Sequence, residues 1–446
     1  MVAVPDNQLP PPPMKPDIFY SLVTLGSTTI WSVLSGWLLY FYMPPEGEGS
    51  PLVPAALFSV AMFANRILDA VIDPPIGYLS DHTRSRWGRR LPYMFVSALP
   101  MLVCFVLLWT PPVQGESLWN LVYLVVVLEL YNIAYSFLQI PYTALLPEFA
   151  PTDRHRVRVS AWNAGFQMVA MILGSFAGLI IETLGYVKMA LIYAGVTLPL
   201  FYLPFLVLRE RPGRQIAASE RLGFRESLSV TLRNRAFRFY TVTWALYWGT
   251  MTLVPIAIPF IATEVCGLTK ADTVYFYISA VLASLACYPL IMWLAGRLGK
   301  WRVYTASLLL SAVVLVGLLF IGDWLPVGLG VQGIAWAVLE ALAVSGAMVL
   351  SPALAAEITD YDAQLTGQRR EGAYYAAWSF LDNAVSGTAA ASVPLLLLLG
   401  RSHSDPYGPL GVRMIGVVGG LLLFVAFLVF LRYPLRPGPA VREADA

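Results

Sequence analysis

The chain has 446 residues, 58% of them hydrophobic and only 13% charged, with a formal net charge of +2. Soluble proteins carry roughly 25% charged residues, so composition argues against a multidomain soluble protein and for a helical membrane protein. Cys104, Cys266 and Cys287 are scattered through apolar stretches without ligand spacing, which gives no disulfide or metal framework.

The N-terminus is acidic and proline-rich (Asp6, Pro10 to Pro13), without a basic n-region or small-residue cleavage site. The first helix is therefore expected to act as an uncleaved insertion signal. Apolar runs close to the ~20 residues that span a bilayer then recur in chain order at 18–43, 53–80, 91–110, 118–147, 158–184, 187–208, 237–263, 272–297, 301–322, 328–357, 371–399 and 410–432. Twelve transmembrane helices are expected. The one long polar stretch between them, Arg209 to Arg238, carries eight arginines. It divides the chain into an N-terminal six-helix bundle (1–208), a basic linker (209–236), a C-terminal six-helix bundle (237–432) and a tail (433–446). If the linker is cytoplasmic, 24 of the 29 basic residues share its side, and Lys188, Lys270 and Arg401 lie opposite. The positive-inside bias then places both termini in the cytoplasm, and the basic linker reads as topogenic and lipid-facing rather than as a nucleic-acid patch.

The second segment contains Asn65-Arg66-Ile67-Leu68-Asp69-Ala70-Val71-Ile72-Asp73-Pro74-Pro75. Asp69 and Asp73 stand four residues apart, on one helical face. Acids at bilayer depth are costly and mark ion or proton pathways. Gly77 and Asp81, followed by Gly88-Arg89-Arg90, link the second segment to the third, and Gly296-Arg297-Leu298-Gly299-Lys300 occupies the equivalent place later in the chain. Arg66, Gly77, Asp81, Gly88, Arg89 and Arg90 form a candidate conformational latch, with a plain positive-inside loop as the rival reading. Twelve spans in two repeated halves are the layout of the major facilitator fold.

Arg66 to Pro74, Gly77 and Thr83-Arg84-Ser85-Arg86-Trp87-Gly88 closely resemble the signature of the glycoside–pentoside–hexuronide:cation symporters. Gln139-Ile140-Pro141-Tyr142, Leu145-Leu146-Pro147, Thr359-Asp360-Tyr361, Arg369 and Glu371 are also similar. The resemblance implies that Asp69 and Asp73 ligate sodium or a proton, with Ser136 as a helper hydroxyl. Two carboxylates with hydroxyl and carbonyl oxygens suit a hard cation, and two neighbouring carboxylates can equally share a proton. The family's charged sugar-gripping residues are absent. Their positions fall on Thr28, Gln139, Thr143, near Ala164 beside Trp162 and Asn163, and on Asn383 after Asp382.

The remaining intramembrane polar and aromatic residues supply the candidate solute site. The solute candidates among them are Thr28, Trp31, Asn132, Tyr135, Gln139, Trp162, Asn163, Trp378, Asp382 and Asn383. Amides and aromatic faces suit a neutral polyhydroxylated ligand. Asp382 could bind a cationic group, pair with Arg413 or carry a proton. Glu129 and Glu340 are further acids in apolar runs. Glu129 lies about 15 Å along the helix from Gln139, toward the helix end, where a carboxylate is ordinary.

His82, His155 and His403 are read as loop residues, so no helix is expected to carry a histidine relay. Gly328-Leu329-Gly330-Val331-Gln332-Gly333 has no preceding strand and is no dinucleotide site. The expected protein is a secondary transporter of the inner membrane, monomeric and without a cofactor. It couples sodium or protons to a small solute, a sugar or glycoside. Lysolipid-like cargo, carried by animal relatives of that family, is the alternative, and an enzyme is disfavoured.

Overall fold

The structure, a computed structural model, describes residues 14–45, 48–83, 85, 87–150, 152–208, 235–322, 324–366, 371–399 and 409–434. The linker core, both termini, Arg84, Arg86, Arg369, Arg370, Arg401 and His403 lie outside them. Where no water can satisfy the backbone, a helix satisfies its own amides, and the described chain is helical almost throughout. The helices are α1 Met14–Tyr42, α2 Ala55–His82, α3 Leu91–Leu107, α4 Leu118–Phe149, α5 Asp153–Ser175, α6 Ala177–Leu184 and α7 Tyr186–Tyr202. After the linker come α8 Arg235–Phe260, α9 Thr273–Leu298, α10 Lys300–Val316, α11 Leu329–Thr366, α12 Glu371–Leu396 and α13 Pro409–Phe430. Ten spans among the described residues are long and apolar enough to cross a membrane, with α5 and α6 forming one of them.

Helix ends depart from the apolar segments for a physical reason: a helix continues past the hydrocarbon as long as its amides stay paired. α11 runs nine residues beyond the expected 357. His82 is consequently the last residue of α2, and His155 sits in the first turn of α5, so the expectation that these histidines lie in loops is corrected. His155 Nε2 is 2.7 Å from Asp17 Oδ1, and Arg158 Nε donates to Asp17 Oδ2 at 2.6 Å. This ties α1 to α5 at one end of the bundle.

Packing before and after the linker follows one scheme. α1 packs on α5 and α7, α3 on α4 and α7, and α2 on α4; likewise α8 packs on α12 and α13, α10 on α11 and α13, and α9 on α11. The repeated loops match too. Gly88 and Gly299 both take positive φ, 102° and 89°, a conformation that favours glycine. Arg89 and Arg90 at the start of α3 pair with Glu148 of α4. Lys300 at the start of α10 pairs with Glu357 of α11. The repeat seen in sequence thus extends to the ion pairs.

The two sets meet through α2 against α12, α1 against α8, and α5 against α9. At the end remote from those repeated loops, several groups converge on Lys270, between α8 and α9. Its Nζ pairs with Glu48 at 2.5 Å, and its backbone N–H donates to Glu182 Oε2 at 3.0 Å. The Tyr40 and Tyr186 rings lie 5.9 and 6.0 Å from the ammonium. Tyr40 Oη donates to Glu48 and is 3.2 Å from Thr263 Oγ1. Gly178 lets α6 close on this point, since a Cβ there would collide with the Lys270 carbonyl and with Thr273. Beneath this clasp lies a cavity lined by Trp31, Ser35, Ser175 and Tyr277. Ser35→Cys should resist a membrane-impermeant thiol reagent, and should gain reactivity several-fold when Lys270→Ala is added. Equal labelling with and without Lys270→Ala would show that the clasp does not hold this end shut.

Candidate functional site

α2 and α4 face each other, with Gly77 of α2 set against Ile140 of α4. Across this seam Ser136 Oγ donates to Asp73 Oδ1 at 2.7 Å. Asn132 Nδ2 donates to Asp69 Oδ2 at 3.4 Å and to Asn65 Oδ1 at 2.8 Å. Asn65 Nδ2 donates in turn to Glu129 Oε2 at 2.7 Å. Three carboxylates therefore line one seam between two helices. Arg66, 4.0 Å from Asp69, is the only arginine or lysine on either helix. Pro74 and Pro75 lie inside α2. Having no N–H, they deprive the Ala70 and Val71 carbonyls of their helical donors, which leaves backbone oxygens beside the two aspartates.

From the other set, α12 is pressed onto α2 at this level. A Cβ at Gly387 would lie 2.8 Å from Arg66 Cβ. Asp382 accepts from Ser386 Oγ at 3.3 Å. Arg66 thus lies between Asp69 and the helix that carries Asp382, about 16 Å by helical rise from Gly77 of the candidate latch. Arg413 donates to the Leu319 carbonyl at 2.9 Å, so of the three roles open to Asp382 the pairing with Arg413 is not the one seen.

The other candidate solute residues distribute unevenly. Tyr135 packs on Tyr131 with ring centroids 6.2 Å apart. Gln139 lies on the same helix one turn beyond Ser136, and its Oε1 is buried with no hydrogen-bond partner. Asn163 Oδ1 is held by Thr24 and by the Tyr142 hydroxyl, both at 3.2 Å, in a network joining α1, α4 and α5. Trp162 stacks on Phe166, and Trp31 lines the cavity under the clasp. Thr28 and Asn383 are half-buried. Trp378 lies on α12 one turn before Asp382, but its side chain, like that of Asp81, is outside what the structure describes.

Sequence reasoning missed Asn65 and set Glu129 aside as an ordinary helix-end acid; the structure connects both to Asp69. The usable signal was spacing, since Asn65, Asp69 and Asp73 recur every four residues and Glu129, Asn132 and Ser136 at three and four. Glu340 is separate. It accepts from Ser311 within the second set, and its other oxygen is buried without a partner.

The family of MFS/sugar transport proteins matches residues 19–436. The chain belongs to this family. Among curated relatives, the isoprimeverose transporter of Lactiplantibacillus pentosus is 26% identical over 312 residues, which cover 66% of this chain and 62% of that protein. The chain thus spans less than two thirds of that relative. The glucuronide carrier protein homolog of Escherichia coli is 24% identical over 436 residues, covering 93% of this chain and 91% of that protein. Among solved structures, the nucleoside transporter NupG superposes with a TM-score of 0.67 at 13% identity, over 94% of this chain and 100% of that one. That likeness shows the fold, and the family match places the chain among the membrane transporters that share it. The resemblance seen in the second helix and the family match agree.

Proposed function

We propose that the protein is a symporter that uses a sodium or proton gradient to accumulate a neutral polyhydroxylated solute, a sugar or glycoside. The observation that carries this is the seam of α2 and α4. Asp69 and Asp73 each accept a side-chain bond from α4, beside freed backbone carbonyls and with Arg66 as the only arginine or lysine on either helix. Such a site is an oxygen cage with surplus negative charge, which a monovalent cation or a proton relieves. The named activities of the sugar-transporting relatives support the solute class. The orphaned oxygen of Gln139, one turn from Ser136, supports it independently, since it needs a donor that a solute hydroxyl supplies.

In this reading Asp69, Asp73 and Ser136 hold the cation. Gln139 and Tyr135 on α4 face the solute, with Trp31, Thr28, Trp162, Asn163, Trp378, Asp382 and Asn383 as its further surroundings. Asn132, counted with them in the sequence, belongs to the cation side. The two sets rock about this level, opening the Lys270 clasp in one state. Both termini and the linker face the cytoplasm, the membrane is the inner membrane, and the unit is a monomer. Filling the site removes buried charge and stabilises the state that binds solute, and the coupling is reciprocal.

Asp69→Asn and Asp73→Asn are expected to abolish cation-driven accumulation in membrane vesicles while leaving insertion and amount unchanged. Accumulation at the parent level in both variants would remove the coupling.

A further inference from the structure

α2 and α4 form three successive rungs: Asp73 with Ser136, Asp69 with Asn132, and Asn65 with Glu129. A cross-link from Asn132 to Asn65 ties the second rung to the third. We propose that Asn65 and Glu129 are positioning residues of the coupling site, acting on Asp69 through Asn132. The inference rests on the reading of Asp69 as a coupling carboxylate.

The argument turns on the direction of the hydrogen bonds. A carboxamide has a donating end and an accepting end, whereas an ionised carboxylate only accepts. Glu129 therefore fixes which way Asn65 points, with the nitrogen on Glu129 Oε2 at 2.7 Å and the oxygen turned to Asn132 at 2.8 Å. Asn132, whose nitrogen is claimed by that oxygen, directs its second N–H to Asp69 at 3.4 Å. Without the acceptor at 129 nothing sets this direction. Asn65 can turn over, Asn132 can follow, and Asn132 then presents an oxygen to the Asp69 carboxylate. A glutamine at 129 has both ends and leaves the choice open.

This accounts for an acid at a costly position. Asn65 is 8% exposed, and Glu129 Oε1 is buried with no partner. The only arginine or lysine on the two helices, Arg66, is engaged with Asp69. α3, the other helix packed closely on α4, carries no acidic or basic side chain. Groups behind the ligands of a metal site typically alter affinity by 10- to 100-fold, and Asn65 and Glu129 stand in that place.

The test uses the purified full-length protein. Its melting temperature is followed as sodium chloride is titrated against choline chloride at alkaline pH, and as pH is lowered without sodium. Glu129→Gln and Asn65→Ala should each raise the half-saturating sodium, or shift the proton midpoint, by about 10-fold. The double variant should do no more than the stronger single one, because both act through one chain. A merely structural role would lower the cation-free melting temperature and leave the midpoint in place. Asp69→Asn separates the two readings. If it removes the cation response while Glu129→Gln and Asn65→Ala keep the parent midpoint, the positioning role fails alone. If Asp69→Asn keeps the full response, or the parent shows none, both readings fall.

Discussion

Charge is expensive in hydrocarbon, and this constraint shapes the molecule. Backbone polarity is absorbed by helices, but a carboxylate at bilayer depth must find its own donors or a cation. On α2 and α4 three acids do so by lining a single seam where the opposite helix supplies hydroxyl and amide hydrogens. The donors are incomplete, the counter-charge is one arginine, and the prolines of α2 leave extra oxygens nearby. The geometry stops short of neutrality, and that shortfall is what a coupling ion can use.

The remaining charges are organised by the same cost. Ion pairs collect at the two ends of the bundle, where water is near. At one end they lie within each set: Arg90 with Glu148, Asp17 with Arg158, and Lys300 with Glu357. At the other end the Lys270 clasp joins the two sets. Contacts within a set keep it rigid, while contacts between sets have to break if the sets rock. The close approach of α12 to Arg66 couples the second set to the acid seam, so movement of α12 changes the surroundings of Asp69 directly.

Much of this was legible in the sequence. Long apolar runs announce helices because a continuous apolar stretch of about 20 residues crosses a bilayer as a helix, and the Asp69–Asp73 spacing announces a common face. The loop repeat was visible because glycine at a tight turn and a basic residue after it are local requirements. Glu129 and Asn65 were not legible as partners. A single polar residue on an apolar helix says that it needs company, but not which neighbouring helix supplies it. The partner of Arg413 was not legible either: it is a backbone carbonyl, which has no signature in sequence. His82 and His155 were misplaced because helix length is set by amide pairing as well as by apolar content.

The most direct test of the account is thermal stabilisation of the purified protein by sodium against potassium, across pH, in the parent and in Asp73→Asn. A ligand that binds only the folded state raises apparent stability by mass action. The account predicts stabilisation that weakens as protons compete for the same carboxylates at low pH and that is lost in Asp73→Asn. If protons alone are the coupling ion, acidification itself stabilises the parent and not the variant. A parent that responds to neither ion, or an Asp73→Asn protein that responds as the parent does, would contradict the account.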